Sequence, residues 1–320
     1  MTRCIHCTRC VRFGQEIAGV MELGMRGRGE HSEIVTFVGR TVDSELSGNM
    51  IDLCPVGALT SKPFRYAART WELARRKSVS PHDSLGSNLV VQVKGDRVMR
   101  VLPLDNEAVN ECWISDRDRF SYEALGSAER LASPRVKVNG EWRDVDWATA
   151  LEVVAGGLKD VFSKHGGSAI GVLASPQSTL EELALVSRLA RGLGCGNVDH
   201  RLRQADFSDD CALAGIPWLG MPIAEVGTLD RVLVVGSFLP KDHPLVAPRL
   251  RQAAKRGTQV TMLHSVDDDW LMPVAHKAIV PPSGLPAVLA AIVVAAAQGA
   301  GKPVPPALAG IEPRASAQAI

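Results

Sequence analysis

Short apolar runs alternate with segments of helical periodicity from about residue 135 to the end of the chain. Apolar runs without polar alternation predict strands that are buried on both faces, and the helical segments between them predict crossover connections. Together they indicate a doubly wound parallel sheet. The predicted strands are 169–174, 231–236, 259–263 and 278–280, and the predicted helices are 178–191, 244–255 and 285–298. Ser178 followed three residues later by Glu181 predicts a capping box at the start of the first of these helices.

The first 134 residues follow a different pattern. Residues 89–102 contain two β-rich runs around a turn at Gly95-Asp96, which predicts a hairpin. Residues 1–76 combine many arginines with glycines that interrupt helical periodicity, so they are expected to be rich in loops. We therefore divide the chain into residues 1–76, 77–134 and 135–320, and predict a mixed α+β and α/β protein.

Composition and charge disfavour several classes of function. The chain has 320 residues, 46% of them hydrophobic, and a formal net charge of +1, which offers little for sustained neutralisation of phosphates. A general nucleic-acid binder is therefore not expected. The apolar stretch 285–297 is shorter than the roughly 20 residues that cross a bilayer, so it predicts a buried helix and no direct membrane span. The first residues do not resemble a signal peptide, which favours the cytoplasm or a similarly reducing compartment.

Seven cysteines are present, and three of them form a C-x2-C-x2-C motif at Cys4, Cys7 and Cys10. In a reducing compartment, clustered cysteines favour metal ligation over disulfides. Three closely spaced thiolates with a further cysteine before a proline are typical of a [4Fe–4S] cluster, and Cys54-Pro55 supplies the fourth ligand. Pro55 is expected to hold Cys54 in an extended backbone conformation. Arg3, Arg9 and Arg12 are placed to offset the negative charge of such a cluster.

Two alternatives remain for this motif. Four cysteines also suit structural zinc, although zinc sites usually pair two C-x2-C knuckles. A disulfide pair is the third interpretation. His6 lies between two of the cysteines, but with four thiols available it is expected to be a surface or hydrogen-bonding residue.

The remaining candidate groups predict no further site. Cys112, Cys195 and Cys211 share no ligand spacing and are expected to be small buried residues. The basic stretch around residues 65–77 is typical of a solvated face, with a subunit contact as the alternative. The sequence contains no G-x-G-x-x-G or G-x-x-x-x-G-K-[ST] at the start of a predicted helix, so no nucleotide binding is predicted.

These motifs resemble a known family, the large iron–sulfur subunit of NADH:quinone oxidoreductase (respiratory complex I). The resemblance extends over essentially the whole chain and implies a [4Fe–4S] cluster on Cys4, Cys7, Cys10 and Cys54. It is carried most specifically by residues 3–13, 45–49, 52–63, 68–69, 86–88, 113–116 and 119–120.

The resemblance also implies how the chain works. It implies single-electron relay from NADH and flavin toward quinone, other subunits of the peripheral arm as partners, and a place on the inner face of the cell membrane. No catalytic residue is expected on this chain. The family's preceding iron–sulfur segment is absent, so the chain resembles a fragment that lacks both ends.

In some family members, the middle segment carries an additional cluster. Here residues 78–88 hold serines but no cysteine, and Ser115 takes the place of the last ligand. We therefore expect one cluster in all.

The third segment resembles the molybdopterin-binding domain of formate dehydrogenases, which makes a molybdenum enzyme acting on formate or a similar substrate the rival hypothesis. Residues 197–200 and Arg203 resemble the pattern that precedes the metal-ligating residue of those enzymes, but the equivalent position here is Ala205. Alanine cannot bind molybdenum, and Cys211 lies six residues later. The resemblance thus implies a formate-dehydrogenase-type α/β domain kept as a scaffold, without molybdopterin.

Overall fold

A computed structural model of the chain describes residues 2–37, 40–201, 215 and 218–313. The chain divides into two compact units, one formed by Met1–Glu123 with Leu219–Ile320 and the other by Ala124–Trp218. The division of the sequence at residues 76 and 134 into three segments stays a prediction.

The N-terminal part of the first unit consists of short elements around a small apolar core. In chain order these are helix α1 (Arg9–Arg12), a π-helix (Phe13–Ala18), strands β1 (Leu23–Arg26) and β2 (Glu33–Thr36), and helix α2 (Asn49–Leu53). Strands β1 and β2 pair antiparallel, an arrangement that the loop-rich interpretation did not include. The core consists of buried apolar side chains: Val11, Phe13, Leu23, Ile34, Leu46, Met50 and Leu245.

The predicted hairpin is confirmed as β4 (Asn88–Lys94) and β5 (Arg97–Pro103). A third strand, β3 (Ala74–Val79), pairs antiparallel with β4 and was missed because every residue in it is exposed. Helix α3 (Asp116–Phe120) follows, and Leu89, Val101 and Ile114 form the core beneath. The basic residues of β3 therefore lie on a solvated edge.

The second unit contains the strand and helix predicted between residues 169 and 192. Its elements are β6 (Arg135–Val138), β7 (Glu141–Asp144), α4 (Trp147–His165), β8 (Val172–Leu173), α5 (Leu180–Gly192) and β9 (Val198–Asp199). The capping box lies one residue later than predicted: Thr179 accepts from the Glu182 N–H at 3.2 Å, and Glu182 accepts from the Thr179 N–H at 2.9 Å. Because two hydroxyl residues precede two glutamates, the sequence pattern fits both registers.

The C-terminal part of the first unit is a three-stranded parallel sheet with strand order β10–β11–β12. Its elements are β10 (Arg231–Val235), α6 (Leu239–Asp242), α7 (Val246–Arg256), β11 (Gln259–His264), β12 (His276–Ile279) and α8 (Leu285–Gly299). Val260 and Met262 are completely buried in its core with Trp270. The remaining helices among the described residues are 3₁₀ turns at Gly29–His31, Thr70–Glu72, Ser121–Gly126, Gly167–Ala169, Ile223–Thr228, Pro282–Gly284 and Pro306–Leu308.

The mixed fold with parallel strands is confirmed, with two differences. In the described residues the parallel strands form two sheets, β8–β9 and β10–β11–β12, and not the single sheet that was predicted. Apolar runs predict that strands are buried but do not specify which strands pair. Helix α8 was expected to be buried, yet only Ala291 and Val294 are. The segment Pro282–Gly299 is long enough and apolar enough to cross a membrane, judged by its length and composition alone.

Candidate functional site

The cysteine-rich loop has an unusual backbone. His6 and Thr8, which lie between successive cysteines, both have left-handed φ angles, of 55° and 58°. A left-handed conformation costs a residue with a Cβ roughly 1–3 kcal/mol and persists where the surroundings require it. It curls the loop, and the His6 N–H donates to the sulfur of Cys4 at 3.4 Å. The ring of His6 is exposed, in agreement with the surface role expected for it.

Cys54 reaches the same place from the end of helix α2. Its backbone is extended, with φ −75° and ψ 107°, as the following proline predicts. The N–H groups of Ala58 and Leu59 donate to its sulfur at 3.2 and 3.5 Å. The turn after Pro55 therefore presents donors to this sulfur.

One cleft brings the four predicted ligands together. Cys4, Cys7, Cys10 and Cys54 line it together with apolar side chains that include Ile34. Cys7 is exposed, whereas the other three are half-buried. Among the described residues no three His, Cys, Asp or Glu side chains lie close enough to hold one metal ion. Four thiols around an apolar cleft fit a cluster, in which each binds a different iron, better than a single zinc ion.

The protein environment affects the thiols differently. Burial raises the pKa of Cys10, and the neighbouring Cys7 and Cys4 raise it further. At Cys54, burial also acts to raise the pKa, but the backbone N–H groups of residues 56–59 outweigh it and the pKa is lowered. The backbone around Cys54 therefore favours its thiolate, whereas the surroundings of Cys10 favour the neutral thiol.

The arginines near the motif divide into two kinds. Arg9 lines the cleft itself. Arg12 forms an ion pair with Glu16 at 3.0 Å, so its charge is compensated there rather than offered to the cleft. Arg3 is exposed. Of the three arginines that we expected to offset the cluster charge, Arg9 is the one placed in the cleft wall.

A buried polar network holds helix α2, and no motif in the sequence indicates it. The side chain of Asn49, 1% exposed, donates to the carbonyls of Leu46 at 2.9 Å and Ile114 at 2.8 Å. Its oxygen accepts from the Ile114 N–H at 3.1 Å and from Arg119 at 3.2 Å. Arg119 also pairs with Asp52, at 2.6 Å. Helix α2, which ends next to Cys54, is thus fixed to the segment before α3.

Asp116 supplies a second attachment for the same helix. Its carboxylate accepts from the Gly48 N–H at 2.7 Å and from the hydroxyl of Ser47. Burial raises the pKa of Asp116, although these two donors act against the increase. A Cβ at Gly48 would lie 2.5 Å from the Arg119 side chain, so only glycine fits. Residues 45–49 and 113–119 therefore act together to hold α2.

Helix α7 of the parallel-sheet part contacts the segment that follows the cysteine loop. Arg251 donates to the carbonyl of Gln15 at 2.8 Å, and Gln252 donates to the carbonyl of Glu16 at 2.6 Å. Both acceptors lie in the π-helix Phe13–Ala18. Leu245 packs in the core beside the cysteine loop. The π-helix is therefore held from the C-terminal part of the chain.

The middle segment uses serines where additional ligands were considered. Ser80 donates to Asp118 at 2.5 Å, and Ser115 donates to the other carboxylate oxygen at 3.1 Å. Burial raises the pKa of Asp118. Cys112 is exposed, so the prediction that it is buried was wrong; Cys195 is buried and donates to the Ile170 carbonyl at 2.9 Å.

Part of the region compared with molybdenum enzymes is described. Asn197 precedes β9 and donates to the carbonyls of Ser168 at 2.8 Å and Ile170 at 3.1 Å, which are structural contacts. Arg203, Ala205 and Cys211 lie outside the described residues. The prediction that no residue here ligates molybdenum therefore rests on the sequence.

Three family models match the chain. Residues 1–60 match the ferredoxin-like domain of NADH-quinone oxidoreductase subunit 3. Residues 73–123 match the NADH-ubiquinone oxidoreductase NDSU1/NuoG-like 4Fe-4S domain. Residues 130–298 match the molybdopterin oxidoreductase family, which covers more than half of the chain.

Relatives and a solved structure agree with these matches. An NADH-quinone oxidoreductase subunit of Rickettsia felis is 40% identical over 258 residues, which are 81% of this chain and 37% of that protein. The NADH-ubiquinone oxidoreductase 75 kDa subunit of Reclinomonas americana is 38% identical over 274 residues, 80% of this chain and 38% of that protein. The chain thus spans little more than a third of the length of these relatives.

Acetylene hydratase from Pelobacter acetylenicus has a similar fold, with a TM-score of 0.52 and 15% identity over 71% of this chain and 32% of that one. At this identity the likeness concerns the fold alone. The chain belongs to the molybdopterin oxidoreductase family, and its residues 1–60 and 73–123 are similar to a ferredoxin-like domain and a 4Fe-4S domain of NADH-quinone oxidoreductase subunits.

Proposed function

We propose that this chain holds one [4Fe–4S] cluster through Cys4, Cys7, Cys10 and Cys54 and relays single electrons through it. In this proposal it is part of an electron-transfer subunit of NADH:quinone oxidoreductase and passes electrons from NADH and flavin toward quinone. The observation that carries the proposal is the meeting of these four cysteines at one cleft. The names of its relatives support the choice of enzyme.

The cluster supplies one-electron redox chemistry, and the residues of the chain supply its ligation, position and surroundings. Backbone N–H groups at His6, Ala58 and Leu59 donate to the cysteine sulfurs and so stabilise negative charge there. The walls of the cleft are mostly apolar, which reduces access of water, while Cys7 is exposed. The exposed Cys7 is the natural point for electron exchange with a neighbouring centre.

Further parts of the proposal concern the assembly. The partners are other subunits of the peripheral arm of complex I. The location is cytoplasmic, peripheral on the inner face of the cell membrane, with no direct membrane span. We propose one cluster only, because residues 73–123 contain Cys112 as their only cysteine. No nucleotide, nucleic acid or catalytic residue forms part of the proposed role.

A molybdopterin-dependent enzyme of the formate dehydrogenase kind is the second candidate, since residues 130–298 match the molybdopterin oxidoreductase family. Ala205 at the position of the expected metal ligand argues against it. In the relay proposal, this domain is a scaffold without the cofactor.

Metal and sulfide analysis with low-temperature EPR of the reduced chain distinguishes the candidates. Iron and sulfide with a cubane signal support the relay, zinc alone supports a structural module, and molybdenum supports the dehydrogenase. Cys54→Ser should weaken or remove the cubane signal and leave the circular dichroism of the sheet unchanged. Cys112→Ser is the matched control, because this cysteine is exposed and lies outside the cleft. An unchanged signal in Cys54→Ser would refute the assignment of the fourth ligand.

A further inference from the structure

Strand β3 (Ala74–Val79) forms a free edge of the antiparallel sheet in the first unit. The strand order is β3–β4–β5, so among the described strands β3 has a neighbour on one side only. All of its residues are exposed, and in the described part of the chain no backbone hydrogen bond outside the sheet involves them. In an antiparallel pair, every second residue directs its N–H and C=O away from the neighbouring strand. The outer edge of β3 therefore presents backbone donors and acceptors that a further strand can bind.

Positive charge is concentrated around this edge. Residues 62–79 contain six basic side chains and one acidic side chain, although the net charge of the whole chain is only +1. The acidic one, Glu72, is already paired with Lys94 at 2.7 Å. No ion pair among the described residues includes a basic side chain of β3. Uncompensated positive charge beside unpaired backbone groups favours a negatively charged partner.

The strand register distributes these charges over the two faces of the sheet. Arg75 lies opposite Gln92 of β4, and Gln92 lies opposite Arg100 of β5. Successive side chains of a strand point to opposite faces, so Lys77 shares a face with Arg75, and Arg76 lies on the other. A strand added beside β3 therefore meets two basic side chains of β3 on one face and one on the other.

Exposed aromatic side chains precede the same strand. Tyr66 is 92% exposed, and Trp71, in the 3₁₀ turn that leads into β3, is 83% exposed. Tryptophan, tyrosine and arginine are the residue types enriched at the energetic centres of protein interfaces. A phosphate backbone offers acceptors but no donors, so it would leave the carbonyls of the edge unpaired, whereas a polypeptide pairs both kinds of group. The edge therefore fits a protein better than a nucleic acid.

We propose that the outer edge of β3 binds an extended, acidic segment of a partner protein, which adds to the three-stranded sheet as a fourth strand. In this mode of recognition, main-chain hydrogen bonds supply affinity and side chains supply specificity. The acidic side chains of the segment lie on the face of Arg75 and Lys77. A second copy of this chain does not fit, because two β3 strands would place like charges opposite each other. This binding does not depend on a cluster at Cys54.

Protection of the edge is the competing explanation. Charged side chains, lysine in particular, are a common means by which an edge strand avoids pairing with other chains. A protected edge would bind no strand of either charge. A patch that attracts anions through its charge alone would bind acidic molecules whatever their backbone. Modification of the ligand's backbone, together with substitutions on opposite faces of β3, separates these explanations from strand addition.

The test uses fluorescence anisotropy with the 320-residue chain and a labelled peptide of about ten residues in which glutamate and valine alternate. We expect saturable binding with a dissociation constant below about 100 μM at about 50 mM salt. Adjacent residues of a strand direct their N–H groups to opposite edges, so N-methylation of two adjacent central residues blocks both edges. The methylated peptide, and a peptide in which lysine and valine alternate, should each bind at least about 10-fold more weakly.

Substitutions on the two faces of β3 provide matched variants. Arg75→Glu should weaken binding of the acidic peptide at least about 10-fold, because it places like charges opposite each other on the face that holds the glutamates. Arg76→Glu makes the same change of charge at the next residue, but on the other face, and should weaken binding less than about 3-fold. Both positions are exposed, and circular dichroism checks that both variants are folded.

Three results would overturn the proposal. Absence of saturable binding by the parent chain would show that the edge is only protected. Equally tight binding of the methylated peptide, or of an oligothymidylate of similar length, would show attraction of anions without strand addition. Equal weakening by Arg75→Glu and Arg76→Glu would assign binding to the overall charge of the patch. If either variant fails to fold, the methylated peptide decides with the parent chain alone.

Discussion

Replacing Asn49 by alanine tests the network that holds helix α2. The change removes four hydrogen bonds and leaves the N–H and the carbonyl of Ile114 without partners, whereas the Leu46 carbonyl still accepts from the backbone N–H of residue 49 at 3.1 Å. Ile114 is completely buried, so water does not reach these groups without opening the structure. At about 1–2 kcal/mol for each of these two buried groups left unpaired, the free energy of unfolding should fall by about 2–4 kcal/mol.

Two measurements check this value. Urea denaturation gives the change in the free energy of unfolding of the first unit, and native-state hydrogen exchange follows the Ile114 amide, which donates to Asn49 in the parent chain. In Asn49→Ala this amide should lose its protection. Because α2 ends next to Cys54, the variant should also lose the visible absorption of the proposed cluster faster.

Gln298→Ala is the control, since Gln298 is exposed on α8 and its removal should change stability by less than about 0.5 kcal/mol. A loss below about 1 kcal/mol in Asn49→Ala, with the Ile114 amide still protected, would refute the reasoning. The Ile114 carbonyl would then have found another partner, and α2 would be held by its apolar contacts.

Three further predictions concern other parts of the chain. Gly19→Ala should lower the free energy of unfolding by about 1–3 kcal/mol in urea denaturation, because its φ is 88° and a Cβ would lie 2.7 Å from the Leu271 carbonyl. Burial raises the pKa of Asp118, so the folded state keeps a proton that the unfolded chain releases. This bound proton contributes fully to stability below the usual aspartate range, and the contribution is lost as the pH rises through the raised pKa. Asp118→Asn should lack this decline in stability measured against pH, and an equal decline would contradict the assignment. Thr179→Ala should lower the free energy of unfolding by about 1 kcal/mol, measured by thermal unfolding, and Ser178→Ala should lower it by less than half as much. The opposite order would favour the cap at Ser178 that the sequence predicted.

Sequence reasoning worked best where one residue determines the local backbone. Pro55 restricts the residue before it, and the structure has Cys54 in the extended conformation that this restriction predicts. The turn at Gly95-Asp96 lies between two β-rich runs, and the hairpin forms there. In both cases the signal lies within a few residues, so no knowledge of distant contacts was needed.

It failed where burial depends on distant partners. Gly48 and Asp116 are separated by 68 residues, and nothing near either of them indicates that the two will bind. Strand β3 carries no alternation of apolar and polar residues, because it is exposed along its whole length and forms through its pairing with β4. The exposure of Cys112 likewise depends on neighbours that the local sequence does not specify.

The contacts of helix α7 change the interpretation of the C-terminal part, for which the sequence predicted only a scaffold. Arg251 and Gln252 donate to two successive carbonyls of the π-helix that follows the cysteine loop. Carbonyls near a helix C-terminus need partners, and here the partners come from far along the chain, since both pairs are separated by 236 residues. A domain that lacks molybdopterin in our proposal therefore still has a structural role, because it fixes the segment that leaves the proposed cluster loop.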